Sequence, residues 1–410
     1  MQDFDEKYNV FQSALEIPEP WYVFHHELAK DEKTLHIYIE YRSGAEFNCP
    51  NCGKNGCKVH DIQDQNRTWR HLDFWQYQTL LHARMPRVKC ESCGKIRTVV
   101  IDWARPGAGF SLYFEAHVMS LMLEMPVAAV ARKVGEHDTR LWRVFKHYVN
   151  EAMDNMDISN VTRIAMDETS RARGHKYITL FIDVDSKRLI FATVGKDADV
   201  LHDFCLFLDS KGVEPSQIQE VCCDMSPSFI SGIETNFPNA SITFDKFHVM
   251  KMVNEALDLV RRQEQATQPE LKNSRYIWLK NQDNLTKKQE IQFAKLKDLD
   301  LATGRAYRLK ISLQKMWTRS IIVSEMYFNE WCDWAVRSQL EPMIKVAKSF
   351  RKHKDGILRW FQTKMTNGLL EGINSLVQAA KRKARGYRTA ENFIAMAYAT
   401  VNKLDLIPKP

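Results

Sequence analysis

The spacing of apolar residues changes along the chain, and each change predicts a different kind of structure. From residue 21 to 98 apolar and polar residues alternate in short runs, the period of half-buried β-strands. From residue 111 to 150 apolar residues recur with the spacing of amphipathic helices. Strand-like and helix-like runs then alternate over residues 163–248, and residues 249–354 are almost wholly helical and charged. We therefore predict a β-rich start, a helical segment, an α/β domain and a helical insertion within it.

The α/β segment has a definite order of elements. Three predicted strands are followed by a helix, a strand, a helix, a strand and a further helix, which is the order of the RNase H-like fold. Asp167 lies on the first strand and Asp224 at the end of the fourth, and these strands are neighbours at the centre of such a sheet. We expect the two carboxylates to come close enough to share a metal ion. Strand alternation turns Glu168 to the other face, and Asp183 and Asp185 are expected to cap a hairpin.

The helical segment has the pattern of a helix-turn-helix. One helix is predicted over Ser111–Glu124, a second runs from Pro126 to Gly135, and a third covers Asp138–Asn150. In such a motif the last helix enters the major groove of DNA. The basic residues of the third helix that we expect to contact DNA are Arg140, Arg143 and Lys146. The alternative is a three-helix linker domain with a solvated basic face.

The cysteines are arranged for metal binding. The chain has 9 cysteines, and four of them form two CxxCG turns, in which two thiolates can converge on one ion. The predicted ligands of one Zn²⁺ are Cys49, Cys52, Cys90 and Cys93. A β-hairpin must fill the gap between the two turns. Nearby Cys57, His60 and His71 are interpreted as non-ligands. The alternative is a reduced, metal-free pair of turns.

Composition and charge limit the class of protein. With 410 residues, 44% of them hydrophobic, the chain is long enough for several globular domains. A net charge of +7 fits a polyanionic partner without requiring one. No uninterrupted apolar run has the length of a transmembrane helix, which takes about 18 residues. The N-terminal residues lack an apolar signal core, so we expect a cytoplasmic protein without a membrane partner.

The closing helical pattern carries a polar stripe and then a run of basic residues. The stripe recurs at helical spacing and consists of Asn367, Glu371, Asn374 and Gln378. The run that follows contains Lys381, Arg382, Lys383, Arg385, Tyr387 and Arg388. Cations with an interleaved aromatic residue are typical of a clamp on backbone phosphates, so we expect these residues, with Asn367 and Asn374, to contact DNA. The alternative is a solvated basic helix end.

Three acids on separate elements form the candidate catalytic set. Asp167, Asp224 and Glu371 offer hard oxygen ligands beside a cationic face, as two-metal phosphoryl transfer on nucleic acid requires. The expected ions are Mg²⁺ or Mn²⁺. Asp245 closes the last strand, and His248 three residues later could position the scissile phosphate or orient a carboxylate. The alternatives are exposed surface acids and a histidine that packs locally.

From about Trp21 to about Leu404 the chain resembles the bacterial DDE transposases of the ISL-three insertion-sequence family. The motifs that carry the resemblance are CPxCG and CxxCG, a helix-turn-helix, MDE with Asp167, CCDMS with Asp224, FDKFHV, and a closing N-x3-E-G-x-N followed by basic residues and GYR. The resemblance implies that Asp167, Asp224 and Glu371 are the catalytic triad and that His248 belongs to a [CD]xxH element. One departure is the pair Gln378 and Ala379, where a more basic approach to Arg382 is expected.

The resemblance also implies a function and a multidomain α/β architecture. The function is a transposase that binds terminal inverted repeats, cleaves the DNA ends with Mg²⁺ or Mn²⁺ and joins them to target DNA. Its partners would be double-stranded DNA and, in the DNA complex, a second copy, and its location the bacterial nucleoid. The expected segments are a zinc ribbon (1–105), a helix-turn-helix (110–152), a catalytic domain (160–250 and 356–410) and an α-helical insertion (251–355).

Two other functions stay open at this point. One is a domesticated DNA-binding regulator that keeps the fold without transposition, although a pure binder gains nothing from uncompensated acids beside DNA. The other is an RNA-directed nuclease with an RNase H-like fold. A zinc ribbon next to a helix-turn-helix favours duplex DNA over RNA.

Overall fold

The protein forms two compact units. The computed structural model describes residues 5–297, 299–365 and 368–408. The first unit runs from the N-terminus to Asp154 and takes in the C-terminal residues from Leu404, and the second spans Asn155–Lys403. The finer segment boundaries expected from the sequence remain predictions. No helix in the described part of the chain is long and apolar enough to cross a membrane.

The first unit combines a six-stranded sheet with four helices. In chain order its elements are α1 (Asp5–Ala14), β1 (Trp21–Ala29), β2 (Thr34–Tyr41), β3 (Glu46–Phe47), β4 (Cys57–Phe74), β5 (Tyr77–Lys89), β6 (Ile96–Thr98), α2 (Leu112–Glu124), α3 (Val127–Val134) and α4 (Asp138–Asp154). The strands are ordered β1-β2-β5-β4-β3, with β6 beside β5. One face of the sheet buries a core in which Trp21 meets Trp103 edge-on, with ring centroids 5.2 Å apart.

Strand β4 begins earlier than its apolar pattern indicates. Alternation is visible only from about Arg67, yet the strand starts at Cys57 and pairs with β5 through three irregularities. Cross-strand interactions hold the polar part, since Arg87 donates to Asp61 with a 2.6 Å Nε–Oδ1 bond. The hairpin that had to separate the two CxxCG turns is therefore this long β4–β5 pair.

The three helices after the sheet confirm the predicted helix-turn-helix pattern. Ser111 caps α2 by accepting the amide of Phe114, and Gly135 ends α3 with a left-handed φ of 67°. A buried ion pair joins the linker to these helices. Arg105 donates two hydrogen bonds of 2.6 Å to Glu115 on α2, and Tyr148 on α4 donates a third to the same carboxylate. The three-helix segment is thus tied together through one buried acid.

The second unit has a five-stranded sheet covered by helices. Its elements are β7 (Arg163–Ala172), β8 (Lys176–Asp183), β9 (Arg188–Val194), α5 (Asp199–Ser210), β10 (Glu220–Cys223), α6 (Pro227–Asn236), β11 (Ser241–Phe244), α7 (Lys246–Glu264), α8 (Arg275–Leu279), α9 (Lys287–Lys297), α10 (Ala302–Met316), α11 (Ile321–Arg337), α12 (Glu341–Lys352), α13 (Lys354–Thr363), α14 (Gly368–Lys383) and α15 (Ala390–Asn402). The sheet order is β11-β10-β7-β8-β9. The predicted order of elements, and the adjacency of the first and fourth strands, are confirmed.

Two layers of side chains cover the sheet. On one face Leu370, Ile373 and Val377 of α14 pack against Ala165 and its neighbours on the same face. On the other face Phe181 stacks on Phe204 of α5, with ring centroids 4.4 Å apart. Successive residues of β7 alternate between these layers, so the face of each β7 side chain follows from its position in the strand.

The helical insertion returns to the sheet through α13. Gly356 lets this helix approach β11 closely, because a Cβ there would lie 2.5 Å from Cε2 of Phe244. Arg359 on α13 also donates to Glu220 on β10, with a 2.9 Å Nε–Oε2 bond. The chain therefore re-enters the sheet layer at a defined place before α14 begins.

Within the insertion, buried Lys310 donates to the last carbonyls of α8, and burial lowers its pKa to about 8.

Candidate active site

Three aspartates, two of them candidate catalytic acids, lie toward the carboxyl ends of the parallel strands in the second sheet. Strands β7, β10 and β11 run parallel to one another. Asp224 and Asp245 directly follow the carboxyl ends of β10 and β11. Asp167 lies within β7, two residues beyond the last pairing of that strand with β10 at Ala165. The carboxyl ends of parallel strands meet at one edge, which is where open α/β sheets bind their ligands.

Asp167 lies inside strand β7, although the apolar run that precedes it ends at Met166. Strand β7 continues to Ala172 because it pairs with β8 along this length. Two donors hold the carboxylate: the amide of Glu168 bonds Oδ1 at 2.9 Å, and Nδ2 of Asn374 bonds Oδ2 at 2.7 Å. Burial raises the pKa of Asp167 to about 6, with a smaller contribution from the charge of Asp224. The site therefore disfavours the negative charge of this group when no cation is bound.

His248 shares the electrostatic environment of these acids. Asp245 caps α7 and accepts from Nδ1 of His248 at 3.1 Å. Burial lowers the pKa of the imidazole, but the bond to Asp245 and the charges of Asp167, Asp245 and Asp224 outweigh burial and leave that pKa raised. His248 therefore carries positive charge more readily than an isolated histidine, and it does so beside Asp167 and Asp224.

Helix α14 brings its polar stripe to β7. Asn374 bonds Asp167, and one turn later Gln378 donates to Thr169 Oγ1 at 2.8 Å and to the carbonyl of Ser170 at 2.9 Å. Glu371 is exposed and lies three residues before Asn374, a spacing that puts both on one side of a helix. The predicted stripe is thus confirmed for Asn374 and Gln378. Asn367 lies outside the described residues.

Two sequence expectations about neighbouring acids have different outcomes. The backbone amides of Asp185 and Ser186 donate to Asp183, so the predicted cap of the hairpin after β8 is confirmed for that residue. Strand alternation predicts that Glu168 points away from Asp167, yet burial and the charge of Asp224 both affect its pKa. Burial raises its pKa, as does the charge of Asp224, while Lys196 and Lys251 lower it. The adjacent acids of the MDE motif are the sequence signal for this effect, which strand alternation alone does not reveal.

The four predicted zinc ligands form one tight cluster. Their Sγ atoms all lie within 4.8 Å of one another, with Cys49 and Cys93 3.8 Å apart and Cys52 and Cys90 3.6 Å apart. A tetrahedral Zn²⁺ with Zn–S bonds of about 2.3 Å needs sulfur separations of about 3.8 Å. The two turns have the same hydrogen bonds, and each ends in a glycine of positive φ, Gly53 or Gly94. The donor set and its spacing fit a structural Zn²⁺.

The described part of the chain contains no other such group of His, Cys, Asp or Glu ligand atoms. Cys57 is buried and donates to the carbonyl of Lys54, and buried His71 bonds Ser111 Oγ at 2.7 Å. His60 lies 3.8 Å from Asp61. Cys57, His60 and His71 lie outside the four-cysteine group, and their interpretation as non-ligands of zinc stays a prediction. Asp167, Asp224 and Glu371 do not form such a group and are therefore gathered less tightly than the four thiols.

The basic residues of α4 that are predicted to contact DNA differ in their exposure and in the partners they already have. Arg143 is exposed and Lys146 is partly exposed. Arg140 donates to Glu136 at 2.5 Å and stacks over the Phe110 ring, with 4.2 Å between Cζ and the ring centroid. Arg140 thus already holds two parts of the helix-turn-helix together, and its contact with DNA stays a prediction.

The predicted contacts after Glu371 are likewise of two kinds. The exposed members are Arg382, Lys383, Arg385 and Arg388. Lys381 is partly buried and donates to the carbonyl of Ser170 at 2.5 Å. Tyr387 stacks on Phe393, with ring centroids 5.4 Å apart, and burial raises its pKa to about 12. The tyrosine therefore packs with the core, and its stacking on a base remains a prediction.

Three known families match the chain in the same order as the thiol cluster, the helix-turn-helix and the second sheet. A family described as a zinc-finger of transposase IS204/IS1001/IS1096/IS1165 matches residues 45–93. A helix-turn-helix domain of transposase family ISL3 matches residues 99–149. A transposase family matches residues 164–397, more than half of the chain, through the helical insertion. The chain belongs to the ISL3 family of DNA transposases.

Individual relatives agree with the family assignment. The transposase for insertion sequence element IS1557 of Mycobacterium tuberculosis is 28% identical over 414 residues, covering 92% of this chain and 91% of that protein. The transposase for insertion sequence element IS1001 of Bordetella parapertussis is 26% identical over 372 residues, covering 88% and 90%. The similarity spans the zinc ribbon, the helix-turn-helix and the catalytic domain. The resemblance inferred from the motifs is confirmed.

Proposed function

We propose that this transposase cleaves and joins DNA by a DDE mechanism in which Asp167, Asp224 and Glu371 hold two divalent cations, Mg²⁺ or Mn²⁺. The observation that carries the proposal is the meeting of three elements at one sheet edge. Asp167 and Asp224 come from neighbouring central strands, and α14, which carries Glu371, bonds Asp167 through Asn374. Such an arrangement can present oxygen ligands to a metal pair from two sides.

The chemistry of the donors fits a hard cation. Asp167 is buried with a raised pKa, and the charge of Asp224 adds to the cost of ionising it. Positive charge at this edge would reverse both effects. Bound cations would polarise the scissile phosphate and lower the pKa of an attacking water or 3′-hydroxyl. The protein's own part is to fix Asp167 from two donors and to keep the site open at the end of the sheet.

His248 is proposed to hold the scissile phosphate. Its raised pKa favours the imidazolium form, whose charge attracts a phosphate oxygen. Asp245 accepts from Nδ1, so the other ring nitrogen, Nε2, remains as a donor toward the substrate. The role of Asp245 is then to orient the ring and stabilise its charge.

DNA recognition is proposed to be divided between two surfaces. Arg143 and Lys146 on α4 would read bases of the terminal inverted repeats, because the last helix of this motif enters the major groove. The exposed cations after Glu371 would bind backbone phosphates near the cleaved strand without sequence preference. The relatives are transposases of insertion sequence elements, which supports element ends and target DNA as the substrates. A homodimer that pairs two ends, at work on the bacterial nucleoid, completes the proposal.

Labelled element ends incubated with the protein and Mg²⁺ test this function. We expect nicks at the repeat boundary, lost on metal removal. Asp167→Asn, Asp224→Asn and Glu371→Gln should each abolish cleavage and leave end binding nearly intact, because these groups hold metal and not bases. Asp185→Asn, at the exposed hairpin turn, is the matched control and should cleave normally.

Other outcomes would point elsewhere. End binding without nicking under any metal condition would indicate a regulator, and cleavage of RNA in place of DNA ends would indicate an RNA-directed nuclease. Cleavage within roughly tenfold of wild type in any one triad variant would remove that residue from the catalytic set, since loss of a metal ligand costs more than this.

A further inference from the structure

The side chain of Asn374 has one satisfied and one unsatisfied end. Its Nδ2 donates to Asp167 Oδ2 at 2.7 Å. Its Oδ1 is buried and has no hydrogen-bond partner among the residues that the structure describes. Buried carbonyl oxygens in native proteins are nearly always paired with protein or water, so an unpaired one next to a catalytic acid calls for an explanation.

The position of Asn374 Oδ1 limits the kinds of group that could bind it. A single planar carbon joins Oδ1 to Nδ2, so Oδ1 lies within about 5 Å of Asp167 Oδ2, a distance that a bound cation or its water can bridge. An amide carbonyl oxygen is a hard, neutral ligand of the kind that Mg²⁺ accepts, and it also accepts hydrogen bonds from metal-bound water. Because it is neutral, it adds a ligand without adding to the repulsion between Asp167 and Asp224.

We propose that Asn374 is a positioning residue of the metal site. Its Nδ2 orients Asp167, and its Oδ1 binds the cation held by Asp167 or a water on that cation. This inference rests on the proposed two-metal function and names a further group in the same site. It also gives Asn374 a task other than the DNA contact expected from its place in the polar stripe.

The next residue of the stripe supplies the comparison. Gln378 lies one turn further along α14 and has the same functional group. Its Nε2 is bonded to the neutral Thr169 Oγ1 and Ser170 carbonyl, away from the acids. Gln378 therefore contacts β7 away from the acids, whereas Asn374 contacts β7 at Asp167. Comparing variants of the two residues isolates the effect of the contact with Asp167.

Mn²⁺ binding to the full-length protein without DNA tests the proposal. Electron paramagnetic resonance counts free Mn²⁺ during titration. Asn374→Ala should weaken the affinity by about 10- to 100-fold, the usual loss when a group that supports a metal ligand is removed. Gln378→Ala should bind Mn²⁺ as the wild type does. Asn374→Leu keeps the volume of the side chain without its amide and should lose the same affinity, which also covers the case that the alanine variant folds poorly.

Binding to labelled element ends, with the structural Zn²⁺ kept and no Mg²⁺ or Mn²⁺ added, provides the second readout. Under the proposal Asn374→Ala and Asn374→Leu both bind ends as tightly as wild type does. Weakened end binding with unchanged Mn²⁺ affinity would overturn the proposal and make Asn374 a DNA contact.

Asp167→Asn separates this inference from the proposed function. If Asp167→Asn loses Mn²⁺ and Asn374→Ala keeps it, the role of Asn374 is overturned and the two-metal function stands. If Asp167→Asn also keeps wild-type Mn²⁺ affinity, both are overturned, because the cation is then held elsewhere.

Discussion

The zinc cluster of the first unit and the carboxylate site of the second are both suited to metal, yet they are built differently. The four thiols lie within 4.8 Å of one another, on two local turns with matching hydrogen bonds. The acids Asp167, Asp224 and Glu371 come from a strand, a strand end and a late helix, and they do not form such a tight group. The thiol cluster has the closed form of a structural site, and the carboxylate site keeps room for substrate.

The difference follows from the chemistry of the ligands. Thiols can be packed together at little cost before an ion arrives, because they are only partly ionised and hydrogen-bond to one another, so their turns can be complete in advance. Carboxylates repel each other when ionised, and burial adds a penalty, as the raised pKa of Asp167 indicates. The position of an acidic ligand is therefore maintained by the groups that donate hydrogen bonds to it. Glu168 and Asn374 do this for Asp167.

The largest expected effect is loss of the first unit's sheet when the zinc cluster is broken. Cys90→Ser should abolish Zn²⁺ binding and unfold the ribbon, since structural Zn²⁺ supplies on the order of 10 kcal/mol of folding free energy in small domains. Zinc content and circular dichroism would measure this. Cys57→Ser is the control, a buried neighbouring thiol outside the cluster, and should keep its zinc. A folded ribbon without zinc in freshly purified protein would contradict the prediction.

The second effect is a pH dependence at the carboxylate site. Because the folded pKa of Asp167 is raised from 3.8 to about 6, its charge destabilises the metal-free protein fully above pH 6 and not at all below about pH 4. Asp167→Asn should therefore raise the melting temperature at pH 8 of protein that keeps its Zn²⁺ but has no Mg²⁺ or Mn²⁺. This gain should fade as the pH falls toward 4. Wild-type Mn²⁺ affinity should drop as the pH falls below about 6, since protons compete for the ligand. A pH-independent Mn²⁺ affinity between pH 5 and 8 would count against Asp167 as a ligand.

A third, smaller effect concerns how the insertion returns to the sheet. Gly356→Ala places a methyl 2.5 Å from a ring carbon of Phe244 and should destabilise the second unit by about 1–3 kcal/mol. Gly372→Ala on α14 meets nothing within 4 Å and should be neutral or stabilising by up to about 1 kcal/mol. Urea unfolding of the two variants compares them directly. Equal stability would mean that α13 can shift away from β11 at little cost.

The smallest effects separate phosphate binding from base reading. Arg382→Ala should weaken binding to all end sequences alike and flatten the log–log salt dependence by about one unit of slope, because one fewer counterion is released. Arg143→Ala should instead relax discrimination at one or two base pairs by about 1–3 kcal/mol. Titrations across salt and end sequence measure both. An unchanged slope for Arg382→Ala would make the basic run a solvated helix end, and uniform weakening by Arg143→Ala would move sequence reading off α4.

The sequence alone determined the features that depend on local spacing and chain order. The CxxCG turns marked the thiol cluster, Ser111 and Gly135 marked helix ends, and the order of strands implied that Asp167 and Asp224 would be neighbours. Turn glycines, helix caps and apolar periods act over a few residues, so they can be read before the fold is known.

Only the tertiary structure decided which side chains became partners. Pairing with β8 carried β7 past Asp167, and packing on Phe393 took Tyr387 into the core. Glu136 engaged Arg140, and the amide of Asn374 went to Asp167 and not to solvent. Each of these depends on which faces of distant elements meet, and a residue's own neighbours along the chain carry no information about that.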